Sequence, residues 1–134
     1  MSDAAGPDSV PVADVMEASR GMLQKQLYAI ATTPTNGLAT VFAHMEAHLA
    51  FQVELERKGI MFAAGPIWTD DEQSWRGEGL VIIRAASRQE AAAIAAEDPM
   101  HKAGARSFTV RPWMVNEGSL TVRLDFSKGK FSIS

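Results

Sequence analysis

No cysteine occurs among the 134 residues, so disulfides, thiolate metal sites and a cysteine nucleophile are excluded. That absence also fits a reducing compartment. No apolar run approaches the ~20 residues that a membrane-crossing helix needs. A basic surplus is missing too: the formal net charge is −3, whereas nucleic-acid binders usually carry a basic face. The opening residues MSDAAGPDSVPV have neither the basic start nor the apolar core of a secretory signal. These absences lead to the expectation of a cytoplasmic protein with no nucleic-acid and no membrane partner. What is present, 46% apolar and 22% charged residues, is the balance of a globular domain of ordinary size.

Three parts are expected along the chain. Residues 1–22, with the proline-broken AAGPDSVP, read as an extension, either a loosely attached tail or a short helix packing on a partner subunit. Residues 23–115 read as the main domain. It opens with a strand at LQKQLYAIATT, ended by PTNG. A helix follows from about Leu38 to Lys58, with Leu38, Phe42, Met45, Leu49 and Val53 recurring every three or four residues, and Gly59 supplies its left-handed cap. IMFAAGPI is a second strand, WTDDEQSWRGEG an exposed loop, and the β-branched LVIIRAA a buried third strand. Ser87 and Glu90 form a capping box for the alanine-rich helix SRQEAAAIAAED, which Pro99 ends. ARSFTVRPWMV is the fourth strand.

The order β-α-β-β-α-β is that of α+β, ferredoxin-like folds. Two helices then cover one sheet face, and a bare apolar face on the other side points to association, with a homodimer as the expected partner. In residues 116–134, Leu120, Val122, Leu124 and Phe126 alternate with polar residues and Phe131 and Ile133 follow after SKGK, which reads as an added C-terminal β-hairpin.

HMEAHL, residues 44–49, sets two histidines four apart. On one helix such a pair faces the same way and can chelate a divalent ion. The glutamate, however, is out of place for the zincin pattern, and a third ligand would have to come from His101 or Asp98 through folding. The alternatives are that one imidazole moves protons or that both decorate a solvated helix edge. His48 sits on the border of the apolar stripe and His44 one turn earlier on the same border, where a half-buried imidazole can do acid–base work if a carboxylate orients it. Asp98, in EDPMHKAG, is a candidate because both helices cover the same sheet face; an Asp-Pro pair that simply forms a turn is the competing explanation.

Elsewhere, Gly65-Pro66 either admits a substrate to the backbone or makes a rigid strand end. Trp68, Trp75 and Trp113 either line a pocket or pack in a core or interface. Arg76, Arg84 and Arg111 either pair a carboxylate or sit on solvated faces. The run Asp70-Asp71-Glu72 reads as loop solubility or a mobile lid.

HLAFQVELERKGIMFAAGP, GEGLVIIRAASRQEAAAIAAEDPMHKAG and FTVRPW, in that order and spacing between about Leu23 and Trp113, resemble the YciI-like (YCII-related) family. The resemblance implies a dimeric α+β barrel, in which two ferredoxin-like sheets pack face to face. It also implies a histidine–aspartate site that falls on His48 and Asp98. Gly65, Pro66, Trp68, Met100 and Trp113 are the candidates for substrate binding beside it. Met100 stands where family members often have an aromatic residue, which bears on pocket shape. The architecture resembles that of muconolactone isomerases, and one kind of member resembles a dehydrochlorinase of hydroxylated aromatics.

The expectation is therefore a small enzyme with no cofactor and no metal. It moves a proton on a small cyclic or aromatic acid, as an isomerase, lyase or dehydrochlorinase does. The alternative is a non-catalytic binding or accessory protein of the same fold.

Overall fold

A computed structural model describes residues 6–134; residues 1–5 of the expected extension lie outside the described residues. In chain order the elements are α1 (Val12–Ala18), β1 (Lys25–Pro34), α2 (Ala39–Ala43), α3 (Met45–Arg57), β2 (Met61–Trp68), β3 (Trp75–Ile83), α4 (Arg88–Ala96), α5 (Pro99–Lys102), β4 (Arg106–Val115), β5 (Val122–Asp125) and β6 (Lys130–Ile133). Gln26–Met114 forms one compact unit, and residues 6–25 and 115–134 belong to another.

Within Gln26–Met114 the four strands lie in the order β2-β3-β1-β4, with β3 antiparallel to both β1 and β2. This is the ferredoxin-like arrangement. Side chains alternate across a strand, so the pairs Tyr28/Ile83, Ile30/Val81 and Thr32/Gly79 share one face. That face packs on the helices: Tyr28, Ile30, Ile83 and Val110 form a core with Ala91 and Ala95 of α4. A second cluster joins Val41, Met100 and Ala105, with Leu38, Met45 and Trp75 against it. The pairs Ala29/Ile82 and Ala31/Leu80 point the opposite way, where Leu80 is 38% exposed. Pro66 and Pro112, which cannot donate to a ladder, fall on the outer strands β2 and β4, where sheets tolerate them.

The helix expected over 38–58 is two helices. His44 (φ −110°, ψ 7°) separates them. In an unbroken helix the Thr40 carbonyl would accept the His44 backbone N–H. Here the His44 ring Nδ1 takes that carbonyl at 2.8 Å, and the backbone N–H moves to Val41 at 3.2 Å. The side chain thus displaces one rung of the ladder. At the far end Gly59, at φ 74°, closes α3 as expected. Its N–H binds the Glu56 carbonyl and the next N–H, from Ile60, binds Leu55, the paired bonds of a left-handed cap.

The expected loop 68–79 is shorter than the sequence implied, because β3 already starts at Trp75. Packing explains it. Gly77 lies so close to Pro34 and Leu38 that a Cβ there would fall 2.5 Å and 2.7 Å from their side chains. Ser87 caps α4 as the pattern required, accepting from the Glu90 N–H at 3.1 Å.

In the other unit the front segment departs from a loose tail. α1 occupies Val12–Ala18. Ser19 Oγ donates to the Val15 carbonyl at 2.8 Å, and Gln24 Nε2 donates to the Met16 carbonyl at 2.8 Å. The C-terminal hairpin forms at the expected place, with Val122 opposite Ile133 and Leu124 opposite Phe131.

Candidate active site

α3 begins afresh at Met45, and His48 falls in its first turn on the side facing α5 and the sheet. The ring is 6% exposed. Asp98 reaches it from the start of α5, on the same side of the sheet. The sequence Asp98-Pro99 builds this placement locally. Proline at the first helical position is preset for a helix, and the preceding aspartate caps it. Asp98 is accordingly the N-cap of α5, with Oδ1 accepting the Met100 N–H at 2.9 Å. The same carboxylate accepts from His48 Nδ1, at 2.8 Å through Oδ2 and 3.0 Å through Oδ1. Asp98 is 5% exposed. One side chain thus caps α5 and accepts from His48.

A carboxylate on Nδ1 fixes the imidazole as the Nδ1–H tautomer and leaves the lone pair on Nε2. That lone pair belongs to a ring in the wall of a cavity of about 430 Å³, within the range of small-molecule sites. Met45, Leu49 and Gln52 of α2–α3's helical layer form one side beside His48. Ala64, Gly65, Pro66 and Trp68 of β2 form another, and Thr32, Trp75, Gly79, Val81 and Arg106 close the floor.

Gly65, Pro66 and Trp68 therefore stand in the same cavity wall as His48. Met100 and Trp113 do not. Met100 is fully buried against Val41 and Ala105, because one turn of α5 carries its side chain into the core. Trp113, 45% exposed, lies on β4 an odd number of residues from inward-facing Val110, on the sheet's other face. His44 is not in the wall either, its ring being held on Thr40. His101 is engaged as well: its Nδ1 donates to the Ala95 carbonyl at 2.6 Å, and its Nε2 accepts from the Thr32 hydroxyl at 2.9 Å. Among the described residues no group of three or more histidines and carboxylates is arranged to hold a metal ion.

Of the arginines singled out from the sequence, Arg84 donates to the carbonyls of Gly59 and Met61, and Arg76 borders an acidic recess with Asp70 and Asp71. Neither is in the cavity, and Arg111 is exposed on β4. The arginine that is there, Arg106, was not singled out, although alternation in RSFTV places it on the same face as Phe108 and Val110. It is 5% exposed. Burial pushes its guanidinium below the usual arginine value, and the Asp98 carboxylate pulls the other way.

The sequence model of the YCII-related domain family matches residues 26–114. No curated protein matches the chain significantly. Among solved structures, the chain is similar to 5-chloro-2-hydroxyhydroquinone dehydrochlorinase (TftG) from Burkholderia phenoliruptrix AC1100, in complex with 2,5-dihydroxybenzoquinone. Identity is 25% with a TM-score of 0.53, over 65% of this chain and 92% of that one.

Proposed function

The chain belongs to the YCII-related domain family, and from that membership we propose that it is a small-molecule enzyme in which His48 and Asp98 form the proton-transferring pair. The observation that carries this reading is a buried imidazole whose Nδ1 is fixed by a buried carboxylate at 2.8 Å while the ring lines a cavity. His48 Nε2 takes a proton from a ring carbon next to a carbonyl, and its imidazolium returns one to the enol carbon. Asp98 holds the tautomer and stabilises the imidazolium that forms. Returning the proton to another atom gives an isomerisation; loss of a leaving group with its electron pair gives an elimination. The similarity to a dehydrochlorinase supports the second course, and small cyclic or aromatic acids and hydroxylated rings are the substrate class. Gly65, Pro66 and Trp68 shape the wall against which the ring rests. A cytoplasmic homodimer, joined through the sheet face that carries Leu80, completes the reading.

The test is turnover of a panel of cyclic and aromatic acids and chlorinated hydroxyquinols in D₂O, following deuterium uptake and chloride release. Positioned acid–base catalysis contributes ~10²–10⁴-fold, so His48→Ala is expected to lose that much while His44→Ala keeps full activity. Undiminished turnover in His48→Ala refutes the assignment. A ligand that binds and returns without deuterium identifies a binding protein instead.

A further inference from the structure

Arg106 has a charge and no adequate partner. It is 5% exposed, and among the described residues its Nε finds no hydrogen-bond acceptor. No ion pair of the described residues includes it. Its Cζ lies 5.8 Å from the centroid of the Trp75 ring, and both residues line the cavity that holds His48. A buried cation with an unmet donor is costly unless something pairs it. The nearby Asp98 carboxylate contributes attraction over distance, yet its oxygens are already engaged by His48 Nδ1 and the Met100 N–H.

We propose that Arg106 is the anion-recognising residue of the cavity, taking a carboxylate or ring oxyanion of a planar cyclic ligand on its guanidinium beside His48. The chemistry matches the wall. A guanidinium offers donors in a planar fork suited to paired oxygens, and Trp75 and Trp68 supply flat apolar surface for the ring that carries them. This inference rests on the cavity being the substrate site but not on proton transfer.

Binding can be read by tryptophan fluorescence and calorimetry on the full chain with benzoate and its neutral analogue benzamide, and with 2,5-dihydroxybenzoquinone as the oxyanion probe. An anion held by a charged hydrogen bond should bind the native protein at least about tenfold more tightly than benzamide. Arg106→Met should abolish that preference and Arg106→Lys should restore part of it. His44→Ala, outside the cavity wall, should bind the anions like the native protein; anion preference in a native protein that shows no turnover would separate recognition from catalysis. Because Arg106→Met can unfold the domain, the Arg106 Nε–H NMR resonance of the native protein gives a second reading, and it should shift on titration with benzoate. Equal affinity for benzoate and benzamide, a folded Arg106→Met that keeps the preference, an unmoved Nε–H resonance, or no binding of either anion to the native protein would each overturn the proposal. A preference for one anion over the other tells whether the oxygen is a carboxylate or a ring oxyanion.

Discussion

Both oxygens of Asp98 lie within hydrogen-bonding distance of His48 Nδ1, at 2.8 Å and 3.0 Å, while one of them also caps α5 through the Met100 N–H. One carboxylate therefore holds a helix start and an imidazole tautomer together. Whatever moves α5 moves the histidine's partner, and the Asp-Pro geometry fixes both.

That double duty separates two substitutions. Asp98→Asn keeps an oxygen that can cap α5 and accept from His48, but removes the charge that stabilises an imidazolium. Its activity is expected to fall by about 10² or more with little change in unfolding midpoint. Asp98→Ala removes the cap as well and leaves His48 Nδ1 without an acceptor, for a further loss of about 1–3 kcal/mol. Urea unfolding beside turnover checks this. Equal stability of the two variants would show that the cap is idle; full activity in Asp98→Asn would show that the charge is.

How much of this was legible follows from the range of the interactions involved. The Ser87–Glu90 cap, the Gly59 stop and the alternation of the strands are local, and the sequence patterns placed them. The break at His44 depends on a ring competing for the Thr40 carbonyl, which helical periodicity does not register. The early start of β3 depends on Pro34 and Leu38, some forty residues upstream, closing over Gly77. The approach of Asp98 to His48 spans fifty residues, and no spacing rule joins them; the family resemblance supplied that pairing. Arg106 is the instructive omission. Its alternation with Phe108 and Val110 was readable, and a charge on an inward face is the signal worth following.

Gly77 provides a test of the packing that starts β3. Its φ is 87°, and an added Cβ would sit 2.5 Å from Pro34 Cγ and 2.7 Å from Leu38 Cδ2. Gly77→Ala thus combines left-handed strain with overpacking, for an expected loss of about 2–4 kcal/mol. Gly59→Ala is the comparison, because φ is 74° but nothing lies within 4 Å of the added atom, leaving only the backbone term of about 1–2 kcal/mol. A urea midpoint that drops equally in both variants would show that the contact with Pro34 and Leu38 yields without cost.

The homodimer reading depends on the sheet face opposite the helices, and Leu80 is the residue that tests it. Leu80 pairs with Ala31 on that face and is 38% exposed in the single chain. A lysine there can keep its charge in water while the chain is alone, so folding should change by no more than about 0.5 kcal/mol. In a face-to-face sheet interface the same charge would be buried without a partner, at a cost of several kcal/mol. Leu80→Lys is therefore expected to sediment as a folded monomer at micromolar concentration, where the native protein sediments as a dimer. A native protein that is itself a monomer there removes the dimer from the reading. A Leu80→Lys protein that stays dimeric places the interface on another surface. In either case the His48–Asp98 pair is untouched, because both residues and the hydrogen bonds between them lie within one chain.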